Sequence, residues 1–125
     1  MKAIVLAWGF ILLLPLSAGS HGPLTMSVSP RVMMAPGFLR VRTMIEASQD
    51  NRAMEVVADS PMFFRSSSVT LDGDRAPRVN EFVFKSLPAG SYDVRVTLIG
   101  TSGPRAVQVS RFFVAGVAGD LGPRN

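Results

Sequence analysis

Few side chains in this sequence could act as ligands or nucleophiles, and His21 is the only histidine. If the chain were cleaved after Ser20, His21 would carry a free amine. An amine and an imidazole together chelate Cu(II), because nitrogen ligands suit that ion. There is no cysteine, so thiol catalysis and a disulfide framework are excluded. A nucleophile needs an adjacent base, and one histidine near a terminus is a poor candidate for that base.

A second possible ligand group is the pair Asp72 and Asp74, which flank Gly73. Carboxylate oxygens suit calcium, but two carboxylates in one turn are too few for a complete site. We favour a hairpin tip here, with glycine adopting positive φ. Since no catalytic residue and no cofactor are predicted, we expect a protein that is not an enzyme.

Methionines offer a third chemistry, because thioether sulfur can bind Cu(I) or fill irregular gaps in a core. Core filling is the interpretation that we favour. The alternative is a periplasmic copper carrier that uses His21 and methionine sulfur. The methionines beyond residue 20 are Met26, Met33, Met34, Met44, Met54 and Met62.

The N-terminus has the pattern of a secretory signal peptide. Lys2 precedes a nearly unbroken apolar run over 3–16, and the small residues 17–20 then suit a signal peptidase. The run is short for a membrane-spanning helix, which needs roughly 20 residues. We predict a leader at 1–20 and a periplasmic or secreted protein. No second apolar span follows, so no transmembrane segment is expected in the mature chain.

The charge of +4 at neutral pH comes mainly from arginine. These arginines are spread along the chain and mixed with acidic residues, which disfavours nucleic acid as a partner. A basic surface can still attract acidic polymers. The expected partner is therefore a protein or an envelope glycan.

Two-residue alternation of apolar and polar side chains indicates β-strands with one buried face. We predict an all-β domain at 21–115, a single seven-stranded antiparallel Greek-key sandwich, and a flexible glycine-rich tail at 116–125. In the last strand, the alternation of apolar and polar residues changes phase between Val109 and Phe112, which suggests a β-bulge. The strands are expected near 24–28, 39–45, 54–58, 63–71, 79–85, 92–98 and 105–114.

The most specific motif is the stretch from Leu87 through Pro88 and Gly90 to Tyr92. A strand ends, the chain turns, and the tyrosine opens the next strand, so its hydroxyl can fold back onto upstream backbone. This tyrosine corner resembles that of immunoglobulin-like and fibronectin type III-like domains of bacterial exported proteins. The resemblance implies an immunoglobulin-like sandwich in which Tyr92 has a structural role.

The chain is also similar to the copper-resistance C proteins, which are small cysteine-free sandwiches whose mature chain begins near a histidine. That family has an Asp-Gly-His group in a late loop. Here the corresponding stretch, 101–104, reads Thr-Ser-Gly-Pro and has no histidine. The resemblance therefore extends to His21 alone.

Together these features predict an exported, non-enzymatic binding or structural protein that acts through contacts at a bacterial envelope. Its contact surface is expected to include Phe64, Arg40, Arg42 and Arg95. The three arginines are predicted to point away from the core, and one of the neighbours Phe63 and Phe64 must also face outward because successive side chains of a strand point to opposite faces. If the strands that carry these arginines lie in different sheets, they do not form one patch.

Overall fold

The computed structural model describes residues 22–116. The predicted leader at 1–20, His21 and the tail beyond residue 116 lie outside the described residues. Among residues 22–116, no helix has the length and apolar character needed to cross a bilayer.

The described residues form an all-β structure of two sheets, as predicted. It has eight strands, not seven, and one short 3₁₀ turn at Gly73–Arg75. The strands are β1 Leu24–Ser29, β2 Val32–Met34, β3 Gly37–Ile45, β4 Ala53–Ser60, β5 Phe63–Thr70, β6 Val79–Leu87, β7 Gly90–Gly100 and β8 Gly103–Ala115.

One sheet has the order β1-β3-β6 and the other β2-β8-β7-β4-β5. The strand missed by the sequence prediction is β2, a three-residue segment between Pro30 and Pro36 that is too short to show alternation. It pairs with β8 in parallel, so the prediction of a purely antiparallel sandwich is also wrong at this one ladder.

The core lies between the sheets because alternate side chains of each strand point inward. In β3 every odd-numbered position is buried and every even-numbered one is exposed. The buried Thr43 hydroxyl donates to the Asn80 carbonyl at 3.1 Å, which satisfies a polar group inside the core. The largest fully buried apolar side chains are Tyr92, Leu24, Leu39, Met54, Leu87 and Leu98.

Two local expectations are corrected. The segment around Asp72 and Asp74 is not a hairpin tip, because it lies on the connection that carries the chain from β5 in one sheet to β6 in the other. The ladder is regular between Val109 and Phe112, and the register instead shifts where Leu98 pairs with Ala106 and Ile99 with Pro104. Residues three apart face opposite sides of any regular strand, so the change of phase did not require a bulge.

Tyr92 lies at the β6–β7 corner, where the chain passes from one sheet to the other. Its hydroxyl donates to the Pro88 carbonyl at 2.7 Å. Its ring stacks on its cross-strand partner Phe112, with ring centroids 4.7 Å apart, and meets Phe63 edge-on at 6.3 Å. Burial raises the pKa of the hydroxyl above its ordinary value of 10.0, which keeps it a protonated donor at neutral pH.

Replacing Tyr92→Phe should lower the free energy of unfolding by about 1 kcal/mol, because one hydrogen bond is lost while the ring contacts remain. Urea denaturation followed by circular dichroism measures this as a lower midpoint with an unchanged slope. Ser91→Ala, at the exposed neighbouring position, is the control. Equal midpoints for the two variants would show that the hydroxyl contributes nothing.

Candidate functional site

The residues predicted to form one contact surface lie on opposite sides of the molecule. Arg40 and Arg42 project from β3, on the outer face of the three-stranded sheet. Arg95 projects from β7 and Phe64 from β5, both in the five-stranded sheet. The predicted surface is therefore divided between the outer faces of the two sheets.

On the three-stranded sheet, strand register places serine hydroxyls beside arginine guanidinium groups. Ser29 lies directly opposite Arg40, and Ser27 directly opposite Arg42. Side chains of directly opposed residues have Cβ atoms about 5 Å apart. The two rows are two residues apart along β3, a spacing of about 6.8 Å. We call the outward-facing side of β1, β3 and β6 the Ser–Arg face.

The Ser–Arg face carries an excess of positive charge. Its outward positions hold Arg40, Arg42 and Lys85 against a single carboxylate, Glu81. Glu81 is the cross-strand partner of Arg42 and lies 3.7 Å from the Nε of Arg40. Within the described chain, Arg42 and Lys85 have no carboxylate at ion-pair distance. These two cations are therefore the ones most available to an added anion.

Apolar side chains bracket the charged rows. Phe38 lies at one end of the Ser–Arg face, Val83 lies directly opposite Arg40, and Met44 and Val79 form a cross-strand pair at the other end. All four are between 39% and 51% exposed. The Arg40 guanidinium lies 5.7 Å from the centroid of the Phe38 ring, which fixes the cation beside an aromatic surface. The face thus combines hydroxyls, guanidinium groups and exposed carbon.

The outer face of the five-stranded sheet has a different charge balance. Arg111 is paired with Asp93 at 3.0 Å, and Asp93 lies directly opposite Asp59 on β4. Glu55 and Arg95 also point outward from this sheet. Acidic side chains here outnumber basic ones, so an anionic partner would be repelled as well as attracted. The Ser–Arg face is the better candidate for anion recognition.

At one end of the sandwich, a polar cluster joins loops that are far apart in sequence. The Asp50 carboxylate accepts hydrogen bonds from the Thr101 backbone N–H at 2.9 Å and from its hydroxyl at 2.8 Å. Arg105 lies 3.5 Å from the same carboxylate and also donates to the buried Asn51. Asn51 in turn donates to the Glu46 carbonyl at 2.9 Å. The cluster ties the β3–β4 loop to the β7–β8 hairpin.

The sequence-predicted pair Asp72 and Asp74 lies at this same end. Both line an open depression whose other lining residues include Arg52 and Arg75. Within residues 22–116, no group of three or more histidine, cysteine, aspartate or glutamate side chains is placed to share a metal ion. Two arginines beside two carboxylates balance the charge of the depression.

The methionines are dispersed. Met54 is fully buried in the core, whereas Met62 is 90% exposed at the β4–β5 hairpin. The Met33 sulfur accepts a hydrogen bond from the Phe38 N–H at 3.2 Å, and Met44 lies on the Ser–Arg face. The described residues do not gather methionine sulfur into one site, so nothing here favours the copper carrier.

The sequence reasoning missed two arrangements. The alternation of Thr25, Ser27 and Ser29 was visible, but the β1–β3 register that places the serines beside arginines has no local signal. Arg105 was not singled out either. The shifted register at Leu98 and Ile99 leaves Arg105 without a ladder partner, and this frees it to reach Asp50.

The fold, but no family, can be compared with known proteins. The superoxide reductase (neelaredoxin) from Ignicoccus hospitalis is similar at a TM-score of 0.54 and 13% identity, over 75% of this chain and 80% of that one. A family 76 glycoside hydrolase from a bovine Bacteroides thetaiotaomicron strain is similar at 0.52 and 15% identity, over 74% of this chain and 20% of that one. No protein-family model and no curated protein matches the sequence.

These similarities correct the prediction that the protein is not an enzyme. That prediction was based on the lack of a recognisable catalytic residue or cofactor motif in the sequence, yet superoxide reductases, which are enzymes, share this fold. An all-β sandwich therefore does not argue against catalysis. At identities of 12–13% the likeness shows the fold alone, and no activity is transferred to this chain.

The polar cluster predicts a pH dependence. The Thr101 N–H and hydroxyl hold the pKa of Asp50 below its ordinary value of 3.8, and the nearby Arg105 and Arg52 also lower it. The stabilisation from the ionised carboxylate is present above pH 3.8 and is lost as the pH falls through the lower folded-state pKa. Asp50→Asn should thus lower the urea midpoint at neutral pH but not in acid.

Asp74→Asn is the control for this prediction, because Asp74 is an exposed carboxylate at the same end of the molecule. Its urea midpoint should follow that of the unaltered protein at both pH values. A constant difference between Asp50→Asn and the unaltered protein from neutral pH into acid would contradict the proposed contribution of the ionised carboxylate.

Proposed function

We propose that the protein is an exported binding module that recognises an acidic glycan of a bacterial envelope through its Ser–Arg face. The observation that carries this proposal is the register of β1 and β3, which sets Ser29 beside Arg40 and Ser27 beside Arg42. Each row sets a hydroxyl beside a planar guanidinium. The Arg42 guanidinium has no ion-pair partner among the described residues, whereas at Arg40 an added anion would compete with Glu81.

The chemistry of each row suits carboxylate, sulfate or phosphate. Guanidinium binds these groups in a two-pronged geometry, and charge-assisted hydrogen bonds of this kind are about twice as strong as neutral ones. An adjacent serine hydroxyl can donate to the remaining anion oxygen. Two such rows about 6.8 Å apart favour a ligand whose charges repeat along a chain over a single small anion.

The apolar ends of the face also fit a sugar polymer. Sugar rings present C–H surfaces that pack on exposed carbon, and Phe38 supplies an aromatic edge beside Lys85. The strand-lined surface suits an extended chain lying across β1, β3 and β6. Basic residues dispersed along the sequence converge here through sheet register, so the absence of a basic run is no obstacle.

The envelope location and the immunoglobulin-like assignment belong to the same proposal. The basic start, apolar run and small residues of 1–20 support export. The tyrosine hydroxyl directed to the Pro88 carbonyl supports an immunoglobulin-like corner. We propose residues 21–115 as the binding domain and 116–125 as its tail.

Binding is tested with polygalacturonate and heparin as acidic probes and dextran as a neutral one. The double variant Arg40→Ser and Arg42→Ser should weaken binding to the acidic probes by about tenfold. Binding of the unaltered protein should fall as salt is raised, because exposed charges are screened. Isothermal titration calorimetry measures both effects.

The matched control is Arg95→Ser with Arg111→Ser. It removes the same charge from exposed strand positions of the opposite sheet, and so separates a specific face from general basicity. Equal losses in the two double variants would overturn the Ser–Arg face. Absence of binding to both acidic probes would overturn the acidic-glycan proposal.

Export makes an independent prediction. Expressed in a Gram-negative host with its full sequence, the protein should appear in the periplasm or medium with about 20 residues removed. Intact-mass spectrometry of that fraction should place His21 at the new N-terminus. A chain that stays in the cytoplasm with Met1 attached would contradict export.

A further inference from the structure

The free edge of β5 is the least protected strand edge in the described part of the molecule. β5 has a ladder with β4 alone, and it lies at the end of the five-stranded sheet. Residues 64–68 are exposed in succession, which means that neither face of this stretch is covered. A strand edge carries unpaired N–H and C=O groups at alternate residues and is a template for another strand.

The other terminal strands have features that discourage pairing. β2 has only three residues and lies between prolines. β1 lies between Pro23 and Pro30, and its Leu24 carbonyl accepts a hydrogen bond from the Gln108 side chain at 3.1 Å. β6 carries Glu81 and Lys85 and contains Ser86 at φ 58°. β5 has eight residues without proline, lysine or carboxylate, and its single charge is Arg65, so it has fewer of the usual protections of an edge than the other terminal strands.

We propose that β5 pairs antiparallel with β5 of a second copy of this chain, which joins two five-stranded sheets into one. The argument for a second copy is that β5 is complementary to itself about Ser67. In that register Ser66 lies opposite Ser68, Phe64 opposite Thr70, and Arg65 opposite Val69.

Each of these pairs is favourable or neutral. Aromatic side chains pair well with β-branched ones across strands, and serine hydroxyls can hydrogen-bond to each other. The single charge of the strand, Arg65, avoids its own copy because it lies two residues from the centre. Phe64, which is 63% exposed in the single chain, gains a neighbour in the dimer.

Symmetry gives this dimer a functional consequence, which rests on the proposed function. The two-fold axis of an antiparallel pair is perpendicular to the sheet, so it leaves each face on its own side. The three-stranded sheets of both copies then lie on the same side of the joined sheet. The two Ser–Arg faces point in one direction and can engage a single acidic polymer, which raises apparent affinity through effective concentration.

Two double variants, which differ from each other only in the side chain at position 66, test the pairing. Ser66→Lys with Ser68→Lys places the introduced lysines of the two copies opposite each other. Ser66→Glu with Ser68→Lys places an introduced carboxylate opposite an introduced lysine. Both positions point away from the Ser–Arg face, and in both variants position 68 lies opposite Glu55 within the chain, so the fold is affected similarly.

Sedimentation velocity over two decades of concentration is the measurement. The unaltered protein should associate reversibly to a dimer. The paired lysines should raise the dimer dissociation constant by about tenfold, and the opposite-charge variant should restore or strengthen the dimer. A monomer throughout the range, or a dimer that responds equally to both variants, would overturn the inference.

The β5 dimer and the glycan-binding proposal can be refuted independently of each other. Arg40→Ser with Arg42→Ser should leave sedimentation unchanged, because those residues lie on the other sheet. The paired lysines should leave binding of a short oligogalacturonate unchanged while weakening binding of long polygalacturonate. Dimerisation without binding to polygalacturonate or heparin would overturn the Ser–Arg face but not the β5 pairing.

Discussion

The packing of Tyr92 is the interaction on which the rest of the structure depends. Its ring contacts Phe112 and Phe63, which come from β8 and β5, and its hydroxyl fixes the turn that carries the chain between sheets. The ring contacts lie within the five-stranded sheet, and the hydroxyl bond lies at the turn that leads into it. Because the chain has no cysteine, the two sheets are held together by the apolar core between them and not by a covalent link. On either side of this turn, β6 pairs with β3 in one sheet and β7 pairs with β4 in the other.

Much of this architecture could be predicted from sequence, because β3 and β7 have a strict alternation set by burial of one face. The prediction failed where burial left no pattern. β2 is too short to alternate, and β5 is exposed on both faces, so its register could not be assigned. The bulge was misplaced because a change of face over an odd interval was read as an irregularity, whereas the real shift lies opposite Leu98 and Ile99.

The candidate site was predicted only in part, for a related reason. Arg40 and Arg42 were expected to point outward, since period-two spacing decides which face a side chain occupies. Their neighbours across the sheet depend on the β1–β3 register, which is set by packing of the whole strand. Arg42 and Arg95, which were predicted to share one contact surface, therefore lie on different sheets. Ser27 and Arg42, which nothing in the sequence grouped together, lie side by side on neighbouring strands.

The pairing of β2 with β8, together with the side-chain bond from Gln108 to Leu24, has a consequence for biosynthesis. β2 has no ladder until β8, the last strand, has been made, and the Leu24 carbonyl waits for a side chain 84 positions further along the chain. A nascent chain that ends before β8 lacks the second strand of the larger sheet and half of the Tyr92–Phe112 stack. Contacts between distant parts of a chain form slowly, so the larger sheet can be completed only after the last strand has left the ribosome.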